Sequence, residues 1–264
     1  MSDTGASRPH APLFIVGSPR SGTSALADVA LAAGYSGFRE GMFLSLITQV
    51  SAAVNMQFAT YATPPSPEVL IGRLDRTAVN RALAETIAGF ARSANKVEPW
   101  FDKTGNPEMI EAIPMLREIW PDAVFLFAKR RAIENVVSRL RKFPGLGFAY
   151  HCRDWARNMA AWRQVAPTLP PAVRREVDQQ DMIQQPDIIA AELQVFLGLG
   201  VDRRVPMRRA MSDSRPQETS AGTAERRLDL AATGWSPADI STFKTICGPE
   251  MQAFGYSMDE SYWA

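Results

Sequence analysis

One stretch near the N-terminus restricts the fold more than any other. Leu13-Phe14-Ile15-Val16 is wholly apolar and runs straight into Gly17-Ser18-Pro19-Arg20-Ser21-Gly22-Thr23-Ser24; a helix is expected from Thr23 to about Ala33, stopped by Gly34. A short apolar run of this kind suits a strand buried on both faces, with helices packed above and below it. A second buried strand is predicted at Ala123–Ala128, again passing directly into a basic turn, Lys129-Arg130-Arg131, and a helix to about Lys142. Strands that alternate with helices predict an α/β fold of three layers around a central parallel sheet.

Other segments fill in the helical layers. Met42–Met56 reads as a helix, and Ala62–Pro67 as a Pro-rich loop. Glu68–Ser93 carries apolar residues at nearly helical spacing and is expected to form one long helix or two. Asn106-Pro107 has the capping and first-turn chemistry of a helix start, and Pro121 lies just past its end. Further helices are expected around Arg153–Val165, at Pro186–Leu197 and at Pro237–Phe254, the last capped by Ser236. One domain is expected over residues 13–264, behind a flexible leader at 1–12.

Bulk properties narrow the function classes. A chain of 264 residues with 46% hydrophobic and 22% charged content buries a sizeable core without disulfide or metal staples. A net charge of +1 argues against a nucleic-acid polymer as partner, since phosphate neutralisation calls for a strong basic excess. Cys152 and Cys247 stand apart, and with only His10 and His151 beside them no metal site is expected. No apolar run reaches the roughly 18 residues of a membrane span, and 1–12 has no signal-peptide core, so the cytoplasm is the expected location.

The Gly17–Ser24 loop carries the functional reading. Glycines let backbone N–H groups curl inward, the following helix presents its positive end, and Arg20 adds a full charge beside the hydroxyls of Ser21, Thr23 and Ser24. The loop resembles a Walker A sequence, but Thr23 stands where the phosphate-reaching lysine belongs, which argues against ATP or GTP hydrolysis.

With that departure, Phe14–Ser24 (FIVGSPRSGTS) resembles the 5′-phosphosulfate loop of the sulfotransferase family, whose donor is 3′-phosphoadenylyl sulfate (PAPS). Pro121–Phe127 followed by Arg130 and Ser138 resembles that family's 3′-phosphate-binding strand and helix. Arg131-Ala132 departs from the usual pattern there and leaves open whether Arg130 or Arg131 makes the contact. Weaker likenesses lie in Asp102-Lys103-Thr104, the end of a middle strand, in Asp181–Leu199, a late strand, helix and FLGL stretch, and in Trp235–Tyr256, a C-terminal helix.

The resemblance implies a P-loop-like nucleotide-binding fold and a PAPS-dependent sulfotransferase that yields PAP. Pro19, Arg20, Ser21, Gly22, Thr23 and Ser24 would hold the 5′ end of the donor, and Arg130 and Ser138 the 3′-phosphate, with a late arginine from Arg203-Arg204, Arg208-Arg209 or Arg226-Arg227 as a further cover. Arg20 and Lys103 would stabilise charge that builds on the transferring group, in place of magnesium. Glu40 is the expected general base and His151 its rival; a Glu40–Arg39 surface pair is the alternative. The acceptor is a small molecule, carbohydrate or lipid with a hydroxyl or amine. Phe38, Met42, Phe43, Met56, Phe58 and Tyr61 are expected to pack in the core, or else to line an apolar or sugar-stacking acceptor cleft. A P-loop small-molecule kinase and a non-catalytic PAP-binding module remain as alternatives, and neither acceptor identity nor oligomeric state is legible.

Overall fold

The structure, a computed structural model, describes residues 11–63, 66, 68–213 and 228–264. His10 and most of the expected leader, Pro64, Pro65 and Pro67 of the Pro-rich loop, and Arg226-Arg227 lie outside these residues. Five strands form one sheet: β1 (Leu13–Gly17), β2 (Ser36–Phe38), β3 (Trp100–Thr104), β4 (Val124–Lys129) and β5 (Arg174–Asp178). Their spatial order is β2-β3-β1-β4-β5 and every pairing is parallel. In register, Leu13 lies beside both Phe101 and Val124.

The helices follow from the strand order. α1 (Thr23–Ala32) carries the chain from β1 towards β2, in one direction across the sheet. α2 (Leu46–Thr60), α3 (Arg76–Ala94), α4 (Pro107–Glu111), α5 (Ile113–Ile119), α6 (Ala132–Lys142) and α7 (Phe148–Val165) lie in connections that run the other way. Right-handed crossovers therefore place α1 on one face and α2–α7 on the other. Contacts agree: α2 meets α3 and α4, α3 meets α5, and α4 and α6 meet α7. After β5 come α8 (Gln179–Gln184), α9 (Pro186–Phe196) and α10 (Arg204–Asp213), and α10 packs on α1. A final helix, α11 (Pro237–Ala253), packs on α7. The result is the α/β fold expected from the two buried strands.

β1 is completely buried, and its Phe14 ring stacks on Phe125 of β4 at 5.4 Å and meets Trp100 of β3 edge-on at 5.7 Å. Aromatic contacts thus tie the three central strands together on one face of the sheet. Phe127 stacks on Trp162 of α7 at 4.6 Å, which fixes that helix over β4.

Several boundaries differ from expectation for identifiable reasons. Met42 has φ 56, outside the helical region, so α2 starts only at Leu46. The Glu68–Ser93 pattern resolves into a single turn at Leu70–Arg73 and then α3, whose first turn is capped by Asp75 accepting from Ala78 N at 2.7 Å. The helix after Asn106 is two short ones, because Pro114 in the first turn of α5 has no N–H to continue the ladder. α7 starts at Phe148 rather than Arg153, with Gly147 at its N-cap, and Phe148 packs edge-on against Trp235 at 4.9 Å. The late strand lies before Asp181, not after it. β5 is an edge strand whose Arg174, Arg175 and Glu176 are only half-buried, so it lacks the apolar signature of β1 and β4.

Candidate functional site

In an open parallel sheet, ligands sit beyond the carboxyl ends of the strands where successive connections leave in opposite directions. Here that point lies between β1, which sends the chain towards β2, and β4, which sends it towards β5. The Gly17–Ser24 loop and the Lys129–Arg131 turn both stand there.

The loop depends on its two glycines. Gly17 has φ 137, and a Cβ at that position would come within 2.3 Å of the Ala128 carbonyl oxygen on β4. Gly22 has φ 93 and is the N-cap of α1, with no side-chain cap for the first-turn N–H groups. Those N–H groups have no intrahelical partner by geometry, so they are available to an anion. Ser18, Ser21 and Thr23 are buried, Pro19, Arg20, Gly22 and Ser24 half-buried. Arg20 itself adopts φ 72, a left-handed conformation that costs a non-glycine residue about 1–2 kcal/mol.

α6 supplies the opposite wall. Arg20 Nε donates to Ser138 Oγ at 2.9 Å. The Asn135 amide donates to the Pro19 carbonyl and to Ser21 Oγ, both at 2.9 Å. Arg139 donates to Ser18 Oγ at 3.2 Å and forms an ion pair with Asp154 at 2.7 Å. Asn135, Ser138 and Arg139 share one face of the helix by their spacing of three and four residues.

The two arginines at the end of β4 separate cleanly. Arg130 donates to the Arg20 carbonyl at 3.1 Å and has no ion pair among the described residues. It is nearly fully buried, and that burial pushes its guanidinium down from the ordinary arginine value, opposed next by the charge of Glu134. A buried cation without a bound carboxylate is costly unless an anion completes the site. Arg131 points elsewhere: it is held by Glu134, the Leu228 carbonyl at 2.7 Å, Ser257 and the Asp259 carbonyl, with its guanidinium 4.9 Å from the centre of the Tyr262 ring. Its charge is used internally.

The middle strand delivers a third group. β3 ends in Asp102-Lys103-Thr104, all buried, and the Lys103 ammonium pairs with the carboxylate of Glu40, which is itself 59% exposed. Glu40 follows β2, and the next residues are tied to the same strand end: Gly41 N–H donates to the Lys103 carbonyl at 2.9 Å and Met42 N–H to Thr104 Oγ1 at 2.9 Å. Thr104 Oγ1 in turn donates to Asp102 Oδ1 at 2.7 Å. Burial pushes the Asp102 carboxyl up to about 6, against the pull of the Thr104 hydroxyl and the Lys103 charge. Arg39 pairs with Asp28 rather than with Glu40, so the alternative surface pair is not formed.

His151 is in a different place. It is completely buried in α7 and accepts from Arg139 Nε at 3.3 Å, behind Ser18 rather than at the mouth of the loop. Burial and then the Arg139 charge hold its imidazole below the usual histidine value. The apolar residues before and along α2 are also not where core packing would put them. Phe38, Met42, Phe43, Met56 and Tyr61 are exposed, and only Phe58 is half-buried.

Sequence reasoning missed Asn135 and Arg139, which hold the loop from outside. Their signal was the shared helical face with Ser138. It also missed the Glu40–Lys103 pair, because the two residues meet only through the parallel pairing of β2 with β3.

Comparison with known proteins bears on the family and the fold. The family model described as "Sulfotransferase family" matches residues 12–203. No curated protein matches the chain by sequence. Among solved structures, the sulfotransferase domain from the curacin biosynthetic pathway is 17% identical, with 96% of this chain and 100% of that one covered and a TM-score of 0.54. The sulfotransferase domain of the Synechococcus PCC 7002 olefin synthase is 16% identical over 94% of this chain and 96% of that one, with a TM-score of 0.55. Sulfotransferase STF1 from Mycobacterium tuberculosis H37Rv is 17% identical over 92% and 78%, with a TM-score of 0.52. At these identities the structures share the fold. With the family model matching well over half of its length, the chain belongs to the sulfotransferase family.

Proposed function

We propose that this sulfotransferase takes its sulfuryl group from PAPS and delivers it to a hydroxyl or amine, with PAP as the other product. The observation that carries the reading is the joining of Arg20, Ser138 and Arg130 into one hydrogen-bonded group at the carboxyl ends of β1 and β4. The residues fit the donor's two anionic ends. An uncapped helix start and Arg20 suit one, and Arg130, a buried cation with no ion pair among the described residues, joined to Ser138 through Arg20, suits the other. Ser138 Oγ accepts from Arg20, which leaves its own proton to donate to a phosphate oxygen.

Bound PAPS supplies the sulfuryl group, whose bond to the 5′-phosphate oxygen breaks as the acceptor oxygen or nitrogen bonds to sulfur. Pro19, Ser21, Gly22, Thr23 and Ser24 orient that end through the loop backbone and hydroxyls, and Arg20 stabilises the charge on the departing phosphate oxygen. Arg130 and Ser138 hold the 3′-phosphate. Glu40 takes the acceptor proton onto its carboxylate. Lys103 pairs with that carboxylate and adds a second cation at the transferring group. The exposure of Glu40 supports its role over that of buried His151.

Thermal denaturation with PAP or with ATP and magnesium tests the donor. PAP should raise Tm by mass action and ATP-magnesium far less. Equal shifts overturn the PAPS reading and favour a kinase. PAP binding without transfer of labelled sulfate to any of a panel of hydroxyl and amine acceptors would mark a non-catalytic PAP-binding protein.

A further inference from the structure

The residues that leave the Glu40–Lys103 pair have an unusual composition. From Gly41 to Pro67, 27 consecutive residues carry no Asp, Glu, Lys or Arg, in a chain where such residues make up 22%. Burial is not the reason, since most of the described residues of this stretch are exposed. Within α2 only Ile47 is buried, and the outer face of the helix presents Leu46, Gln49, Ala53 and Met56. Met56 is 69% exposed, and Met42, just before the helix, 60%. A surface helix ordinarily turns charged residues to water, and an exposed, neutral, partly apolar strip marks a binding surface.

Its position names the occupant. The strip starts where Gly41 and Met42 are hydrogen-bonded to Lys103 and Thr104, one residue from Glu40. It then runs outward along a helix of 15 residues, about 22 Å at 1.5 Å per residue. We infer that the acceptor is an uncharged amphiphile: its hydroxyl lies at Glu40 and its unbranched apolar body lies along Met42, Leu46 and Ala53. The residues of the strip itself carry no charge that would compensate a charged body. The inference rests on the sulfuryl-transfer reading for what happens at the hydroxyl, and on the α2 face for the rest.

Primary alcohols of increasing length test it as a molecular ruler on PAP-loaded protein. Binding of 1-butanol, 1-hexanol, 1-octanol and 1-decanol should tighten about twofold to fourfold per added methylene. With methyl-labelled Met, Leu and Ala, the short alcohols should shift the Met42 and Leu46 resonances, and only 1-octanol and 1-decanol that of Ala53. Leu46→Glu and Ala53→Glu, both at exposed positions, should flatten the dependence on chain length and leave PAP affinity within about twofold. Affinity independent of length, or shifts confined to other methyl groups, overturns the proposal. So does a concentration-dependent dimer that Ala53→Glu dissociates, since the strip is then a contact between copies. Capture by neutral phosphatidylcholine vesicles, lost in Ala53→Glu with no length dependence for alcohols, would make the face a lipid-surface contact. The two readings fail separately. Transfer of labelled sulfate to 1-butanol and 1-decanol with equal kcat/KM removes the strip and keeps the chemistry; length-dependent binding without transfer does the reverse.

Discussion

Arg130 donates to the carbonyl oxygen of Arg20 across 3.1 Å, so the arginine that ends β4 holds the backbone of the arginine in the loop after β1. The charge assigned to the 3′-phosphate therefore also shapes the 5′ loop. Arg130→Ala and Ser138→Ala should each weaken PAP more than adenosine 5′-phosphosulfate, which lacks the 3′-phosphate. Loss of a charge-assisted contact costs about 1.5–3 kcal/mol. Because Arg130 holds the Arg20 carbonyl and Ser138 the Arg20 guanidinium, both variants should also weaken adenosine 5′-phosphosulfate, by less than they weaken PAP. Titration calorimetry with both ligands checks this, and equal losses for both ligands in Ser138→Ala would remove the 3′ assignment.

Arg20 combines a charge with a left-handed backbone, and the two separate by mutation. Arg20→Ala and Arg20→Gly should lose donor affinity alike, since both lack the guanidinium. Glycine adopts φ 72 without the Cβ penalty, so the Gly variant should be more stable by about 1 kcal/mol. For a chain of this size that is roughly 2–4 °C in Tm. A Gly variant that melts below the Ala variant would mean that the loop relaxes when the side chain is lost.

Glu40→Gln keeps the shape of the side chain and removes its basicity. Turnover should fall by about 10²–10⁴ while PAP affinity stays nearly unchanged. Near-normal kcat would take Glu40 out of the chemistry. A joint loss of turnover and PAP binding would show that Glu40 acts by holding Lys103, its partner in the structure.

Asp102 makes stability depend on pH with a definite sign. Its carboxyl is raised to about 6 by burial, so the folded protein binds a proton there that the unfolded chain has released. The group's favourable contribution is complete below its unfolded value near 4 and is lost as pH rises through about 6. Asp102→Asn removes that loss. Measured by urea denaturation at pH 5 and pH 7.5, the variant should gain on the native protein at the higher pH; a difference independent of pH contradicts the assignment.

What the sequence made legible follows from local physics. β1 and β4 are buried on both faces, so continuous apolar runs betray them, and the glycines of the intervening loop stand where the backbone needs a positive φ or a close approach. Arg20 was singled out by its loop, and Arg130 and Ser138 by a family resemblance anchored on β4; the structure brings the three together. β2 was not read, since it is three residues long, and the late strand was placed too far along the chain, since β5 is an edge strand rich in charge. The fate of Arg131, the Glu40–Lys103 pair and the exposure of α2 depend on contacts between segments tens of residues apart. An apolar segment does not itself say whether protein or a ligand will cover it.

Arg131 fastens the first turn of α6 to Leu228, Ser257 and Asp259, while Tyr262 accepts from nothing at the loop itself but receives the Arg131 N–H at its hydroxyl and donates to Asp178 at 2.8 Å. The segment 257–262 is in this sense a back-plate: through Arg131 and the Tyr262 hydroxyl it holds the peptide that follows Arg130. Damage there would register in a binding assay as damage to the anion site. A screen that scores residues only by loss of affinity would rank Tyr262 among the ligand contacts, and structural readouts on the apo protein, such as the melting temperature without PAP, are what tell the two kinds of residue apart.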